Sequence, residues 1–219
     1  YRASQILNPN LALPTSFLDK YRNETQYKTV QGLANYTKEI NKHNFNILAG
    51  YAFEAQNTGY FSGYRENFPS NDYTEMSMGG TTNQQVYAYT AGWALQSYFG
   101  RFKYDYQQRY LFEATVRYDG SSRFPAGRKY GTFPSLAGGW RVSEEPFFKP
   151  LTNVISNMKL KGSWGILGNQ NISNYPYQST LTSGLNYPIG GQLANGAGVT
   201  VLTDPTIHWE STKTVDAGL

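Results

Sequence analysis

The sequence predicts an all-β fold, an antiparallel transmembrane β-barrel segment of about seven strands that is part of a larger barrel. Three observations carry that expectation. Period-two alternation recurs along the chain, while helical periodicity is hard to find. Most alternating stretches run about 9–13 residues, longer than the ~5–6 common in soluble strands and near the ~9–11 that a tilted strand needs to cross a bilayer. Connections tend to alternate between short and long, as they do on the two sides of a membrane barrel.

The elements follow in order. A first strand, with mixed faces, is expected from about Tyr27 to Tyr36. After a short turn, Phe45, Ile47, Ala49, Tyr51 and Phe53 alternate with Asn44, Asn46, Leu48, Gly50, Ala52 and Glu54. A long connection, about Ala55 to Ala91, precedes a third strand from about Gly92 to Tyr104. The clearest alternation follows a short turn: Tyr110, Phe112, Ala114, Val116 and Tyr118 oppose Leu111, Glu113, Thr115 and Arg117. Beyond a longer connection at Asp119–Gly131, Leu136, Gly138 and Trp140 oppose Ala137, Gly139 and Arg141. An intermediate link, Ser143–Ser156 with Pro146 and Pro150, breaks the short–long rhythm. Met158, Leu160, Trp164 and Ile166 then oppose Lys159, Lys161 and Ser163. After the long connection Gly168–His208, Trp209, Val215, Ala217 and Leu219 oppose Glu210, Thr212, Thr214 and Asp216.

Composition narrows the chemistry. The 219 residues hold no cysteine, which excludes disulfide scaffolds, thiol catalysis and iron–sulfur sites. His43 and His208 are the two histidines, so a histidine-rich metal site is not expected. Aromatic residues equal charged ones at 16% each, and glycine is abundant at 22. Disorder does not fit so aromatic a chain. Mean hydropathy is nonetheless −0.56. The net charge of +4 is scattered, with no basic arm for nucleic acid. No run of 18 apolar residues suits a transmembrane helix. Gly165-Ile166-Leu167-Gly168 lacks the Gly-Lys-Ser/Thr ending of a phosphate loop, and no Gly-x-Ser-x-Gly occurs. No catalytic residue, cofactor or metal is therefore expected.

Two residue sets are the candidate functional surface. The polar faces of the alternating strands place Glu113, Arg117, Arg141, Lys159, Lys161, Glu210 and Asp216 toward a wet lumen. Their plain reading is cross-strand charge pairing, worth about 0.2–1 kcal/mol per pair. The functional reading is a polar conduit or a dock for a plug. The long connections carry Tyr60, Phe61, Tyr64, Phe68 and Tyr73, then Tyr175, Tyr177 and Tyr187. Rings can stack on the C–H faces of sugars, contact a partner protein or pack the loops themselves. Gly168 to Thr203 carries no charged residue, which favours a neutral ligand. Asp119-Gly120-Ser121-Ser122-Arg123-Phe124 reads as loop-folding chemistry, with Asp119 bonded to Ser121 or Ser122 or paired with Arg123. His43 reads as a solvated or interfacial histidine. A soluble, secreted carbohydrate-binding β-sandwich stays open as the alternative, because it too alternates. The two separate on the outward set Phe112, Ala114, Val116, Leu136, Leu160, Trp164 and Ile166: a band open to lipid, or a face packed on a second sheet.

Several blocks resemble one family at once. Ser97-Tyr98-Phe99-Gly100-Arg101-Phe102-Lys103-Tyr104, then Arg109 through Phe124, Gly131 through Arg141, Leu160 through Gln170 and Trp209 through Thr214 are similar to the barrel of SusC/RagA-like TonB-dependent transporters, in the family's order. Residues 1–91 match more loosely. The resemblance implies a multi-pass outer-membrane protein of Bacteroidetes-type bacteria, without enzymatic activity. It implies a SusD-like surface lipoprotein as lid, import of oligosaccharides or peptides, and power from the TonB complex. It also implies that residues 1–219 are a barrel segment, with the plug domain, the TonB-contacting part and the remaining strands outside it.

Overall fold

The computed structural model describes residues 16–219 together with the two-residue strand β1, Arg2–Ala3. The strands are β2 (Phe17–Ile40), β3 (His43–Glu66), β4 (Gln85–Tyr106), β5 (Tyr110–Ser121), β6 (Tyr130–Arg141), β7 (Lys159–Asn169), β8 (Leu181–Ile189), β9 (Gln192–Val199) and β10 (Glu210–Gly218). One antiparallel sheet has the order β1-β2-β3-β4-β5-β6-β7-β10, and β8 pairs with β9 in a separate hairpin. The sheet is open, with β1 and β10 at its ends. Among the described residues no helix is long and apolar enough to cross a membrane, which says nothing of strands.

Three expectations are corrected. The stretch expected as a long loop between Ala55 and Ala91 is mostly strand, since β3 runs on to Glu66 and β4 begins at Gln85. The first strand is 24 residues long, not the ten or so that patterning indicated. Residues such as Lys20, Arg22, Asn23 and Glu24 make both faces of its early part polar. A strand wetted on both faces has no hydrophobic period to read. The connection after β7 is likewise not all loop, because it contains the β8–β9 hairpin.

The chain divides into two units, each treated separately. The first comprises Tyr1–Lys28 and Ala55–Gly92. In it Ser16 closes the connection after β3: its hydroxyl donates to the Phe68 carbonyl (3.0 Å) and accepts from the Phe68 amide (2.8 Å). Arg65 reaches the Gly79 carbonyl at 3.3 Å and Gln84 Oε1 at 3.2 Å. A side chain at Gly79 would run into the Phe68 ring, so this turn needs glycine.

The second unit comprises Thr29–Glu54 and Trp93–Leu219. Its registers define two faces, because side chains alternate along each strand. On one face lie successive rows of apolar side chains. Phe102, Ala114, Leu136, Trp164 and Val215 are one row, and Tyr104, Phe112, Gly138, Gly162 and Ala217 are the next. Phe112, Val116, Leu136, Leu160 and Trp164 remain 38–46% exposed, so no second sheet covers them. The rows end in rings at both sides. Tyr106, Tyr110 and Trp140 lie beside the short turns, while Tyr98, Tyr118 and Tyr130 lie at the other end. The Tyr118 and Tyr130 rings stack at 4.8 Å. Eight residues separate Tyr110 from Tyr118, about 26 Å along a strand and about 20 Å once tilted by ~40°. An apolar band of that height between two aromatic rows approaches the ~25 Å band on the outer surface of a membrane barrel.

The main buried cluster sits at the end remote from the short turns. Phe124, Phe133 and Trp209 form the core, with Leu95, Ile166, Ile172 and Ile207 against it. Trp209, which the alternation groups with Val215, Ala217 and Leu219, is thus buried. It precedes β10, and its indole N–H donates to the Lys129 carbonyl at 2.9 Å. Ile166 also turns toward this core rather than the apolar band. Pairing of β6 with β7 stops at Ser135↔Gly165, which frees the end of β7 to curl over Phe133. A Cβ on Gly168 would meet the Phe133 ring.

Candidate functional site

The face opposite the apolar band is a polar wall. Register aligns Lys103, Glu113, Ala137, Ser163 and Asp216 across β4, β5, β6, β7 and β10. The next row toward the short turns is Asp105, Leu111, Gly139, Lys161 and Gly218. Lys159 and the residues of these two rows other than Gly218 border a groove of about 370 Å³. The small residues Ala137 and Gly139 lie among the charged ones that line it. Lys103 Nζ lies 3.2 Å from Glu113 Oε2. Asp105 accepts from the Asn44 amide and from the Gln108 backbone N–H, both at 3.0 Å. Lys103, Lys159 and Lys161 face Asp105, Glu113 and Asp216 around it, so cations and anions balance. Such a wall stays wet and holds no strong field of either sign.

Of the seven polar residues singled out in the sequence, four meet in this groove: Glu113, Lys159, Lys161 and Asp216. Three do not. Arg117 lies farther along β5, paired with Asp119 at 3.2 Å, bonded to Ser97 Oγ at 3.2 Å and set over the Phe99 ring. Arg141 ends β6, where it pairs with Glu144 at 3.0 Å. Glu210 begins β10 and accepts from the Asn169 amide at 2.8 Å. Sequence reading missed Lys103 and Asp105, whose strand mixes polar and aromatic residues on both sides.

The eight aromatic candidates scatter. Tyr60, Phe61 and Tyr64 lie within β3 rather than in a loop, and Tyr187 lies in β8. Phe68 and Tyr73 lie in the connection between β3 and β4; Tyr175 and Tyr177 lie before β8 with their rings edge to face at 6.3 Å. Tyr60 is the centre of a cluster in the first unit. Its ring is 5.3 Å from Tyr89, 6.1 Å from Tyr87 and 6.4 Å from Tyr21. All three neighbours are at least 45% exposed, so the cluster presents ring faces to water. Tyr21, Tyr87 and Tyr89 were missed, although Tyr87 and Tyr89 sit two apart, as one face of a strand requires.

The Asp119–Phe124 motif folds the loop, by bonds other than those expected. Asp119 pairs with Arg117 and not with Arg123. Ser121 Oγ accepts from the Arg123 amide at 3.1 Å, and Ser122 Oγ from the Ala94 amide at 2.9 Å. Arg123 reaches Asn174 and the Gln170 carbonyl, both at 3.1 Å, and lies over Trp93. At the opposite end, Glu145 is a buried knot. It accepts from the Tyr110 hydroxyl at 2.6 Å and the Trp140 indole at 3.1 Å, with Arg109 at 3.7 Å. The Tyr110 hydrogen bond first, then that from Trp140, holds its carboxyl below the usual value, against the effect of burial. His43 packs into the same aromatic end, its Nδ1 2.8 Å from the Tyr104 hydroxyl. Among the described residues no cluster of three or more His, Asp or Glu is built to hold a metal.

No family model matches the chain. It is 36% identical over 202 residues to the TonB-dependent receptor P3 of Formosa agariphila, covering 91% of this chain and 20% of that protein. It is also 36% identical over 202 residues to the TonB-dependent receptor SusC of Bacteroides thetaiotaomicron, with 89% and 20% covered. Among solved structures, the RagAB peptide transporter superposes with a TM-score of 0.87 at 26% identity, over 96% of this chain and 23% of that one. The RagAB peptide importer in its open-open state superposes at 0.84. The chain spans about one fifth of the length of the curated relatives it matches. With an open antiparallel sheet similar to part of the RagAB transporter, the chain is a homologue of the SusC-like TonB-dependent receptors, corresponding to about a fifth of their length.

Proposed function

We propose that residues 1–219 form one arc of the barrel of an outer-membrane TonB-dependent transporter. The observation that carries this reading is the second unit's two-faced wall, which bears an uncovered apolar band between two aromatic rows on one side and a charge-balanced polar groove on the other. The open sheet supports it as well, because unpaired strand edges cannot remain in lipid and need further strands. The polar face, with Glu113, Lys159, Lys161 and Asp216, lines the lumen and meets the plug. A SusD-like lipoprotein closes the outer side, and the TonB complex powers import through parts of the protein outside this chain. The cargo is an oligosaccharide or a peptide. The charge-free stretch from Gly168 to Thr203 and the exposed tyrosines around Tyr60 favour a neutral glycan.

The test is extraction of the intact protein from native membranes, followed by native mass spectrometry. Recovery from the detergent-solubilised outer membrane, with a small lipoprotein attached and a bound species that fragments by sugar losses, supports the whole reading. A bound species that fragments as a peptide ladder keeps the transporter and replaces its cargo. Recovery from a detergent-free fraction as a polypeptide of 24.7 kDa refutes the transporter and restores the soluble carbohydrate-binding sandwich.

A further inference from the structure

We propose that the segment between β6 and β7, residues 142–158, is a lipid anchor that lies in the phospholipid headgroup region at the short-turn side of the barrel. This rests on the barrel reading above. The segment is two 3-10 turns, Val142–Glu144 and Pro146–Leu151, followed by an irregular return to β7. Two sets of bonds pin it. Val142 and Phe148 are buried, and Glu145 is tied to Tyr110 and Trp140. The Ser143 amide donates to the Met158 carbonyl at 3.2 Å.

A pinned loop in water should present polar side chains. This one presents Phe147, Leu151, Val154 and Ile155, exposed by 65, 51, 84 and 43%. From Pro146 to Met158 the only charged residue is Lys149. The apolar patch continues an apolar surface already described. The Phe147 ring meets Trp140 edge-on at 6.3 Å, and Trp140 stands in register with Tyr110 and Leu160 on the lipid-facing side. Tyr106, Tyr110, Trp140 and Phe147 therefore make one run of rings along the band's edge, with Leu151 in the same 3-10 turn as Phe147. Aromatic and aliphatic side chains beside a single lysine are the composition of a surface that sinks about 5–10 Å into the boundary between headgroups and acyl chains. Lysine can lay its stem along the apolar surface and keep its ammonium among phosphates. The occupant is phospholipid and not a protein, because the patch prolongs the lipid band and its cation matches phosphate. The same contacts explain why the Ser143–Ser156 link is longer than the other turns on its side: the added residues bind membrane.

The chain has no cysteine, so an introduced thiol reports alone within it. The intact protein with Leu151→Cys is labelled with bimane and reconstituted in vesicles of phosphatidylethanolamine and phosphatidylglycerol. Spin-labelled lipids carrying the quencher at the headgroup or high on the acyl chain are added. Val116→Cys, in the middle of the apolar band, is the control for the barrel itself. The expected result is about a twofold or greater loss of Leu151 fluorescence with the shallow quenchers and a smaller loss with one deep in the chain, while Val116 shows the reverse order. Quenching at Val116 but none at Leu151 overturns the anchor and leaves the barrel standing. Quenching at neither site removes both. Shielding of the Leu151 label from lipid quenchers and from aqueous iodide alike means that a protein covers the patch, which also overturns the proposal.

Discussion

Replacing Phe124 by alanine should open the loops at its end of the sheet while leaving the strands in place. Phe124 is fully buried, its ring 5.1 Å from Trp209, which in turn meets Phe133 at 5.2 Å. Removing a buried phenylalanine ring costs about 3–5 kcal/mol through lost transfer energy and the cavity left behind. The ring joins the loop after β5 to the segment before β10, so the loss falls on the docking of those two segments. The strand ladders of β5, β6, β7 and β10 are hydrogen-bonded independently of it. At about 1.4 kcal/mol per tenfold, the local opening equilibrium rises by about two to three and a half orders of magnitude. Hydrogen exchange by mass spectrometry on the reconstituted protein reads this directly. The amides of Ser121 and Ser122, bonded to the Lys129 and Ala94 carbonyls, report the loop. Peptides over 121–131 and 204–209 should exchange at least about 100-fold faster, and those over 110–118 should not change. Acceleration of less than tenfold at 121–131 would show that Phe124 is not the clamp. Equal acceleration in every strand would show that the core supports the whole wall.

Three other outcomes are expected. Glu145 is a carboxylate with a depressed pKa, so its stabilisation is present above the unfolded value of about 4.5 and is lost as pH falls through the lower folded value. Proteolytic nicking of 142–158 should therefore stay flat from neutral pH to about 4.5 and rise only below it; a rise starting near pH 6 would contradict the knot. Gln107 and Gln108 hold φ of 53° and 54° in the turn between β4 and β5. Gln108→Gly should relieve left-handed strain and raise stability in denaturant titrations by up to about 1 kcal/mol, and a loss of stability would argue against that geometry. Lys103 and Glu113 are each about two-fifths exposed, so Lys103→Met should alter the unfolding midpoint by less than the equivalent of about 1 kcal/mol. A larger loss would mean that the pair carries more of the wall than an open salt bridge can.

Wherever one face of a strand is apolar and the other polar, the alternation is visible in the residues. Tyr110–Tyr118 and Leu136–Arg141 alternate in their order alone, and the structure gathers Glu113, Lys159, Lys161 and Asp216 at one groove. The all-β class, the absence of thiol chemistry and the run of blocks similar to TonB-dependent transporters were legible for the same reason: they are properties of local order and composition. Where polar residues stand on both faces, as from Lys20 to Glu24 and in much of Ala55 to Glu66, the code is silent, and these strand ends are not visible in the sequence. Only the tertiary structure decided which residues from distant strands meet. Register across five strands brought Lys103 to Glu113 and Ser163 to Asp216, and it gathered Tyr21, Tyr60, Tyr87 and Tyr89 into one cluster. It also buries Trp209 and leaves Phe147 exposed. Periodicity records the face on which a side chain stands, whereas neighbours across strands depend on register and turn geometry, which no single stretch of sequence contains.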